Sequence, residues 1–135
     1  SPFDAVLLDA PCSSTGTVRR HPDVPWIKSA ADVETLAGVQ QRLLDRAIDL
    51  VRPGGRIVFT NCSLDPLEGE ELVHALLSSD GRVEPDPVRA DEVPDMAAWL
   101  TPEGWLRTTP ADMQQDDLAL SGMDGFFAAR LRRRF

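Results

Sequence analysis

Apolar residues along the chain fall into short runs that alternate with polar stretches rich in proline and glycine. Residues 3–8 (FDAVLL) have the nearly continuous apolar character of a strand that is buried on both faces of a parallel sheet. Between positions 33 and 51, apolar residues recur at helical spacing, with Ser29 placed to cap the helix and RPGG at 52–55 placed to end it. Residues 56–60 (RIVFT) then predict a second strand.

The residues that follow the second strand predict the start of another helix. Asp65 suits the N-cap, Pro66 suits the first helical position, and Glu68 lies three residues past the cap, as a capping box requires. Apolar spacing continues this helix as far as residues 80–81, where Asp-Gly ends it.

The rest of the chain carries shorter signals: a strand near 82–88, an apolar piece at 105–106 and a final strand at 125–131. The order strand, helix, strand, helix, strand is typical of a doubly wound α/β sheet. Such sheets usually carry a glycine-rich phosphate-binding loop after the first strand, and none occurs here. We therefore predict that residues 1–135 form a single α/β domain corresponding to the second half of such a fold.

Composition narrows the class of protein. The formal net charge of −8 argues against wholesale attraction to nucleic acid, although a net charge averages over surfaces that need not touch a ligand, and the acidic excess is concentrated in residues 80–117. No apolar run is long enough to span a bilayer and no signal pattern begins the sequence, so we expect a cytoplasmic protein with reduced thiols. The two histidines and two cysteines match no metal-ligand spacing, so we predict no metal site.

Both cysteines follow predicted strands, Cys12 after the first and Cys62 after the second. The carboxyl ends of parallel strands lie at one edge of a sheet, where such folds bind ligands, so we expect both thiols at that edge. The helix predicted after Cys62 would stabilise a thiolate and lower the pKa of the thiol, which makes Cys62 a candidate nucleophile. The alternative is that a small buried residue simply ends the strand.

Polar groups near the cysteines suit a planar, charged ligand. Asp9 directly follows the first predicted strand, and its carboxylate could hydrogen-bond there to a heterocyclic base, although aspartate also forms turns readily. Arg19, Arg20 and His21 form a basic loop at the same expected edge, which suits phosphate groups or, equally, a solvated turn.

Three stretches of sequence resemble the RNA (cytosine-5) methyltransferases of the Sun/Fmu family. They are DAPCSSTGTVRRHPD at 9–23, LVRPGGRIVFTNCSLDPLEGE at 50–70 and DGFFAARL at 124–131. Phrases such as RPGGRIV recur in many S-adenosylmethionine enzymes, whereas DAPCS followed at this distance by NCS or TCS at the end of a strand is diagnostic of the family. The resemblance covers nearly all of the chain.

The resemblance implies a fold, a reaction and a set of site residues. The fold would be the C-terminal half of a Rossmann-like methyltransferase: a mostly parallel sheet with an antiparallel last strand, flanked by helices. Cys62 would attack C6 of a cytosine in RNA, Cys12 would assist product release, and Asp9 would contact the cytosine. Asp9, Ala10 and Pro11 would form part of the S-adenosylmethionine site, and the likeness favours 16S ribosomal RNA as the substrate.

The sequence departs from the family pattern in two ways. Asn61 stands directly before Cys62, where the family usually has threonine. The RNA-binding region and the strands that hold most of the cofactor do not precede these motifs, so we expect a partial catalytic domain that is inactive alone. Such a piece would leave the strand at 3–8 with an unpaired edge, which predicts self-association.

Several alternatives stay open at this point. The substrate could be transfer RNA, and the attacking thiol could be Cys12, because DNA cytosine methyltransferases use the cysteine of their Pro-Cys motif. A non-catalytic RNA-binding domain on a methyltransferase scaffold is a third alternative. A thiol redox protein is a fourth, which reversible disulfide formation between the two cysteines would reveal.

Overall fold

The computed structural model describes residues 2–135. Its strands are β1 (Phe3–Asp9), β2 (Val51–Asn61), β3 (Val83–Pro85), β4 (Leu106–Thr108) and β5 (Phe126–Arg133). Its α-helices are α1 (Val24–Ile27), α2 (Ala30–Leu50) and α3 (Glu70–Ser79), and short 3-10 turns occupy Thr15–Thr17, Pro66–Glu68 and Pro94–Trp99.

The strands form one mixed sheet in the order β1-β2-β5-β3, with β4 also pairing with β5. The β1–β2 pair is parallel, and β5 runs antiparallel to each of its neighbours. The predicted α/β class and antiparallel last strand are therefore confirmed, while among residues 2–135 parallel pairing is limited to β1 and β2, so the sheet is mixed rather than mostly parallel. The parallel register places Asp9 opposite Thr60, so the loops that leave β1 and β2 begin side by side.

Helix α2 begins as the sequence predicts, and β2 begins earlier than predicted. Ser29 caps α2, with its side chain accepting from the Asp32 amide while the Asp32 carboxylate accepts from the Ser29 amide. The helix ends at Leu50, and β2 then starts at Val51 rather than at residue 56. Residues 52–55 bulge out of register with β1, with Gly54 at a φ of 78°, so the segment that follows the helix is an irregularity within the strand.

The start of α3 differs from the sequence prediction. Asp65 accepts a hydrogen bond from the Leu67 amide and caps only a 3-10 turn, and α3 begins at Glu70. The capping-box prediction for Glu68 is wrong, because its side chain turns into the protein instead of back to the Asp65 amide. The α-helix consequently does not start directly after Cys62.

Helices α2 and α3 pack on one face of the sheet and enclose the hydrophobic core. The core draws alternate residues from the central strands and the inner faces of the helices, including Leu44, Ile48, Ile57, Phe59, Val73, Phe127 and Leu131. Trp105 is only 2% exposed and packs edge-on to Phe127, with ring centroids 5.8 Å apart. This tryptophan therefore belongs to the core.

Strand β1 lies at the edge of the sheet, since no strand among residues 2–135 pairs with its outer side. Two of its large apolar side chains are exposed, Phe3 at 57% and Leu7 at 70%. The edge and the exposed side chains are features that promote strand pairing between molecules. Self-association itself stays a prediction.

The acidic segment after α3 pairs with the arginines of β5. The Asp86 carboxylate contacts Arg130 at 3.3 Å and Arg132 at 3.2 Å, and Glu92 contacts Arg130 at 3.0 Å. These ion pairs satisfy much of the basic charge near the end of the chain. The segment thus covers one part of the sheet, and β5 does not present a bare cationic strip.

Candidate active site

The two cysteines meet at the carboxyl edge of β1 and β2. Cys12 Sγ and Cys62 Sγ lie 3.5 Å apart, and both are free thiols in half-buried positions. Ser14 Oγ lies between the loops, 3.6 Å from the Cys62 sulfur and 3.9 Å from the Cys12 sulfur. Ser14 itself adopts a left-handed backbone conformation with a φ of 60°, which non-glycine residues seldom adopt outside tight or functional turns. The 3.5 Å separation of the two sulfurs lets one ligand atom contact both of them.

The Cys12 thiol is held in its protonated form at neutral pH. Burial, followed by the negative charge and hydrogen bond of Cys62, raises the pKa of Cys12 from its ordinary value of 9.0 to about 11. Because the thiolate and not the thiol is the nucleophile, Cys12 is poorly suited to begin a reaction at neutral pH.

This raised pKa predicts slow alkylation of Cys12 in the folded protein. Reaction with iodoacetamide, followed at Cys12 by peptide mass spectrometry, should reach half its maximal rate near pH 11. A Cys62→Ala variant should move that midpoint downward without bringing it to 9.0, because burial is the larger cause. A midpoint at or below pH 9 in the folded protein would contradict this description of the site.

Glu68 lies directly beneath the two cysteine loops and is fully buried. One carboxylate oxygen accepts from the Ser13 amide at 2.8 Å and from Gln40 Nε2 at 3.0 Å. The other accepts from the Ser13 hydroxyl and from the Ser63 hydroxyl, each at 2.5 Å. Ser13 and Ser63 are the residues immediately after the two cysteines, so one carboxyl group ties both loops together.

A second ring of hydrogen bonds supports this carboxyl group. Gln40 also donates to the Pro11 carbonyl at 2.8 Å, and Asn61 donates to the Glu68 carbonyl at 2.6 Å. The Asn61 side-chain oxygen accepts from the Ser63 amide at 3.0 Å. Sequence reasoning missed this network, although each cysteine is followed by a serine and Gln40 interrupts an apolar helix face.

Gly16 brings the Cys12 loop against the backbone of the Cys62 loop. Its amide donates to the Cys62 carbonyl at 2.8 Å, and its carbonyl accepts from the Gly125 amide at 2.7 Å. A Cβ atom at position 16 would lie 2.3 Å from the Gly125 oxygen and 2.5 Å from the Cys62 oxygen. Only glycine allows the three backbone segments to approach this closely.

A Gly16→Ala substitution is therefore expected to destabilise the protein by about 1–3 kcal/mol, the range typical of overpacking, because backbone atoms rather than flexible side chains must move. Denaturant unfolding measures the change. Gly81→Ala is the matched control, since nothing lies within 4 Å of a Cβ at that position. Its effect should stay within about 0.5 kcal/mol, and equal effects of the two substitutions would refute the close-approach argument.

Asp9 is the one exposed carboxylate at the end of β1. Its side chain accepts a hydrogen bond from Thr60 Oγ1 at 3.0 Å. The neighbouring Ala10 is buried, with its amide donating to the Thr60 carbonyl at 2.9 Å, and the carbonyl of the exposed Pro11 is held by Gln40. Of the three residues predicted to contact a cofactor, Asp9 alone offers an accessible polar side chain.

The predicted RNA-binding loop is exposed, and two of its three side chains bond to other residues of the chain. Arg19 donates to the Ser121 carbonyl at 3.0 Å, and Arg20 forms an ion pair of 2.6 Å with Asp124. His21 is exposed. An exposed ion pair of this kind contributes little stability, so Arg20 can exchange Asp124 for another anion at low cost. The assignment of these residues to RNA binding stays a prediction.

Residues 2–135 hold neither a cluster of metal-ligating side chains nor a membrane-spanning helix. No group of three or more His, Cys, Asp or Glu side chains there could hold a metal ion. No helix in the same residues has the length and apolar character needed to cross a membrane.

The sheet, its flanking helices and the ligand-binding edge define a Rossmann-like methyltransferase fold. A methyltransferase homologue protein from Pyrococcus horikoshii superposes with a TM-score of 0.67 at 30% identity, over 98% of this chain and 39% of that one. The chain belongs to the 16S rRNA methyltransferase RsmB/F family, whose family model matches residues 1–132.

Curated relatives carry the names of ribosomal RNA methyltransferases. Ribosomal RNA small subunit methyltransferase B of Shewanella oneidensis is 34% identical over 129 residues, which is 96% of this chain and 27% of the relative. Ribosomal RNA small subunit methyltransferase F of Aeromonas salmonicida is 37% identical over 131 residues, covering 97% of this chain and 26% of the relative. The chain thus spans about a quarter of the length of these relatives.

Proposed function

We propose that the full-length protein methylates C5 of cytosine in 16S ribosomal RNA, using S-adenosylmethionine and a covalent bond between Cys62 and C6 of the base. The observation that carries this proposal is the meeting of two free thiols, 3.5 Å apart, at the same edge of the sheet as the exposed carboxylate of Asp9. Membership of a ribosomal RNA methyltransferase family supports the substrate class.

The chemistry explains why a thiol pair suits this reaction. C5 of cytosine is a weak nucleophile, and addition of a thiolate to C6 forms an S–C6 bond and moves electron density to C5. S-adenosylmethionine, when bound, supplies the methyl group that C5 accepts. Loss of the C5 proton to a base then expels the Cys62 thiolate and restores the aromatic ring. The Asp9 carboxylate can hydrogen-bond to the polar edge of the base and stabilise it during the addition.

The two thiols have different tasks because their surroundings differ. With its pKa raised to about 11, Cys12 keeps its proton at neutral pH, which favours Cys62 as the attacking group. The Cys12 thiol lies 3.5 Å from the Cys62 sulfur and can donate its proton to that sulfur as the S–C6 bond breaks. The proton lost from C5 then restores the proton of Cys12, so the step neither gains nor loses a proton overall.

The residues present fit only part of a cofactor site. The carboxyl end of β1 carries Asp9, Ala10 and Pro11. One oxygen of the Asp9 carboxylate accepts from Thr60, and the other accepts no hydrogen bond from residues 2–135. These residues would hold one side of S-adenosylmethionine, and the remainder of the site would come from other parts of the full-length protein. We expect this chain alone to be inactive for that reason.

The same thiol spacing also favours a second candidate, a dithiol redox protein. A thiol with a pKa near 11 is almost entirely protonated at neutral pH, whereas thiol–disulfide exchange proceeds through the thiolate. The raised pKa of Cys12 therefore disfavours Cys12 as the thiol that begins such an exchange, and a pair that forms a reversible disulfide but supports no methylation would favour the redox function.

Product analysis tests the proposed function. The full-length protein is incubated with labelled S-adenosylmethionine and unmodified 16S ribosomal RNA, and transfer RNA is assayed in parallel. Digested nucleosides should contain labelled 5-methylcytidine from the ribosomal RNA. Label on another base or atom would refute the reaction, and label in transfer RNA alone would refute the substrate.

A further inference from the structure

The hydrogen bonds of Glu68 concentrate on the two segments that carry the cysteines. Ser13 contributes both its amide and its hydroxyl, and Ser63 contributes its hydroxyl, although these residues lie 55 and 5 positions away along the chain. The two serine hydroxyls also lie 3.2 Å from each other. Each serine is covalently adjacent to a cysteine, so a shift of the Glu68 carboxyl group moves both thiols.

Burial of this carboxyl group calls for a physical explanation. Removing a carboxyl group from water costs several kcal/mol, and well-packed apolar residues often stabilise a core at least as well. Here the cost is offset by a network without gaps: among residues 2–135, no buried side-chain nitrogen or oxygen lacks a hydrogen-bond partner. A fully satisfied polar network fixes one geometry, which an apolar cluster does less strictly.

The surrounding residues fix the orientation of the carboxyl group. Gln40, held within α2, donates to a Glu68 oxygen and to the Pro11 carbonyl, which precedes Cys12. Asn61, which precedes Cys62, donates to the main-chain carbonyl of Glu68. Each cysteine therefore has a tethered neighbour on both sides, and the tethers reach Glu68 directly or, for Pro11, through Gln40.

We propose that Glu68 is a positioning residue, whose carboxyl group holds the Cys12 and Cys62 loops at the separation that lets one thiol attack the base while the other assists release. The catalytic consequence rests on the proposed function above. The geometric part, that Glu68 sets the distance between the thiols, does not.

Disulfide formation measures the geometric part without any RNA or cofactor. In a glutathione buffer, one oxidised glutathione accepts two electrons from Cys12 and Cys62, forming one protein disulfide and two reduced glutathione molecules. The equilibrium constant reports how closely the full-length protein holds the two sulfurs. Glu68→Ala should lower this constant by about tenfold or more, since small displacements of reacting groups have effects of that size or larger.

A conservative variant separates positioning from simple loss of a residue. In Glu68→Gln, the amide oxygen can still accept from Ser13 and Gln40, and the amide hydrogens can bond to both serine hydroxyls acting as acceptors. The constant should therefore stay within about threefold of the wild-type value. Ser63→Ala removes one of the two serine hydroxyls bonded to Glu68 and leaves both Ser13 bonds to Glu68 in place. It should therefore lower the constant by a smaller factor than Glu68→Ala, and it provides the test if Glu68→Ala does not fold.

Val73→Ala is the matched control for general destabilisation. Val73 is fully buried on α3 and belongs to the apolar core, not to the Glu68 network. The equilibrium constant for disulfide formation in Val73→Ala should match that of the wild type in every preparation that circular dichroism shows to be folded. Equal effects of Val73→Ala and Glu68→Ala, or no change in folded Glu68→Ala and Ser63→Ala, would overturn the proposal.

Methylation kinetics complete the test. Glu68→Ala should lower kcat while the KM for RNA stays unchanged, and Glu68→Gln should restore most of kcat. If the wild type forms no 5-methylcytidine while Glu68→Ala still lowers the equilibrium constant for disulfide formation, the proposed function fails and the positioning role stands. If methylation proceeds and Glu68→Ala leaves that equilibrium constant unchanged, the positioning role fails.

Discussion

Replacing Cys62 with alanine is expected to abolish methylation by the full-length protein. Without the sulfur there is no bond to C6, and C5 stays too weak a nucleophile to accept a methyl group. Loss of a covalent nucleophile in other enzymes costs about 10⁴-fold or more in turnover, and we expect a fall of at least that size. Initial rates of 5-methylcytidine formation, measured with saturating RNA and cofactor, give the comparison.

The fold should survive this substitution. Cys62 is half-buried, and among residues 2–135 its side chain bonds only to Ser14 and Cys12, so alanine removes little packing. Circular dichroism and thermal unfolding close to those of the wild type would show that the loss is chemical. A Cys62→Ala protein that retained a tenth or more of wild-type turnover would rule Cys62 out as the attacking group.

Replacing Cys12 with alanine is expected to have the opposite signature. Attack by Cys62 does not need the Cys12 sulfur, so the covalent complex should still form, but release should stall because the group that assists loss of the C5 proton is missing. Turnover should fall by about 10²–10⁴-fold, the usual contribution of a general acid–base group. The stalled complex should appear as a protein–RNA band on a denaturing gel.

The double variant gives the control for this band. Cys12→Ala combined with Cys62→Ala should show no covalent complex, because the attacking sulfur is absent. A Cys12→Ala protein that released 5-methylcytidine at the wild-type rate would show that Cys12 has no part in release.

The meeting of the two thiols could be predicted from the sequence because it depends on local signals and one general rule. The apolar runs at 3–8 and 56–60 predict adjacent buried strands, and parallel strands bring their carboxyl ends to one edge. The helical spacing before β2 supplies the crossover that parallel pairing requires. Cys12 and Cys62 then lie together as a consequence of topology.

The role of Glu68 could not be predicted because it depends on contacts made far along the chain. A local pattern of aspartate, proline and glutamate predicts a capping box, but Ser13 and Gln40 compete for the same carboxyl group from other elements. The long-range bonds prevail, the cap at Asp65 closes only a 3-10 turn, and α3 begins at Glu70. Capping signals describe local preference, which tertiary contacts override.

The ion pairs between the acidic segment and the arginines of β5 could not be predicted from the sequence either. The acidic excess in 80–117 and the arginines near the end of the chain read as separate features of the sequence. In the structure Asp86 and Glu92 lie against Arg130 and Arg132, so these arginines offset part of the acidic excess. Pairing across the sheet depends on the register of β5 with its neighbours, which a linear sequence does not display.

The division of tasks between Cys62 and Cys12 is tested most directly by locating the covalent bond itself. RNA carrying 5-fluorocytosine at the target position has no C5 proton to lose, so the wild-type full-length protein should attack it and then fail to release it. After digestion with protease and nuclease, mass spectrometry of the trapped complex identifies the modified peptide. We predict that the nucleotide is attached to Cys62, and a nucleotide attached to Cys12 would contradict the account.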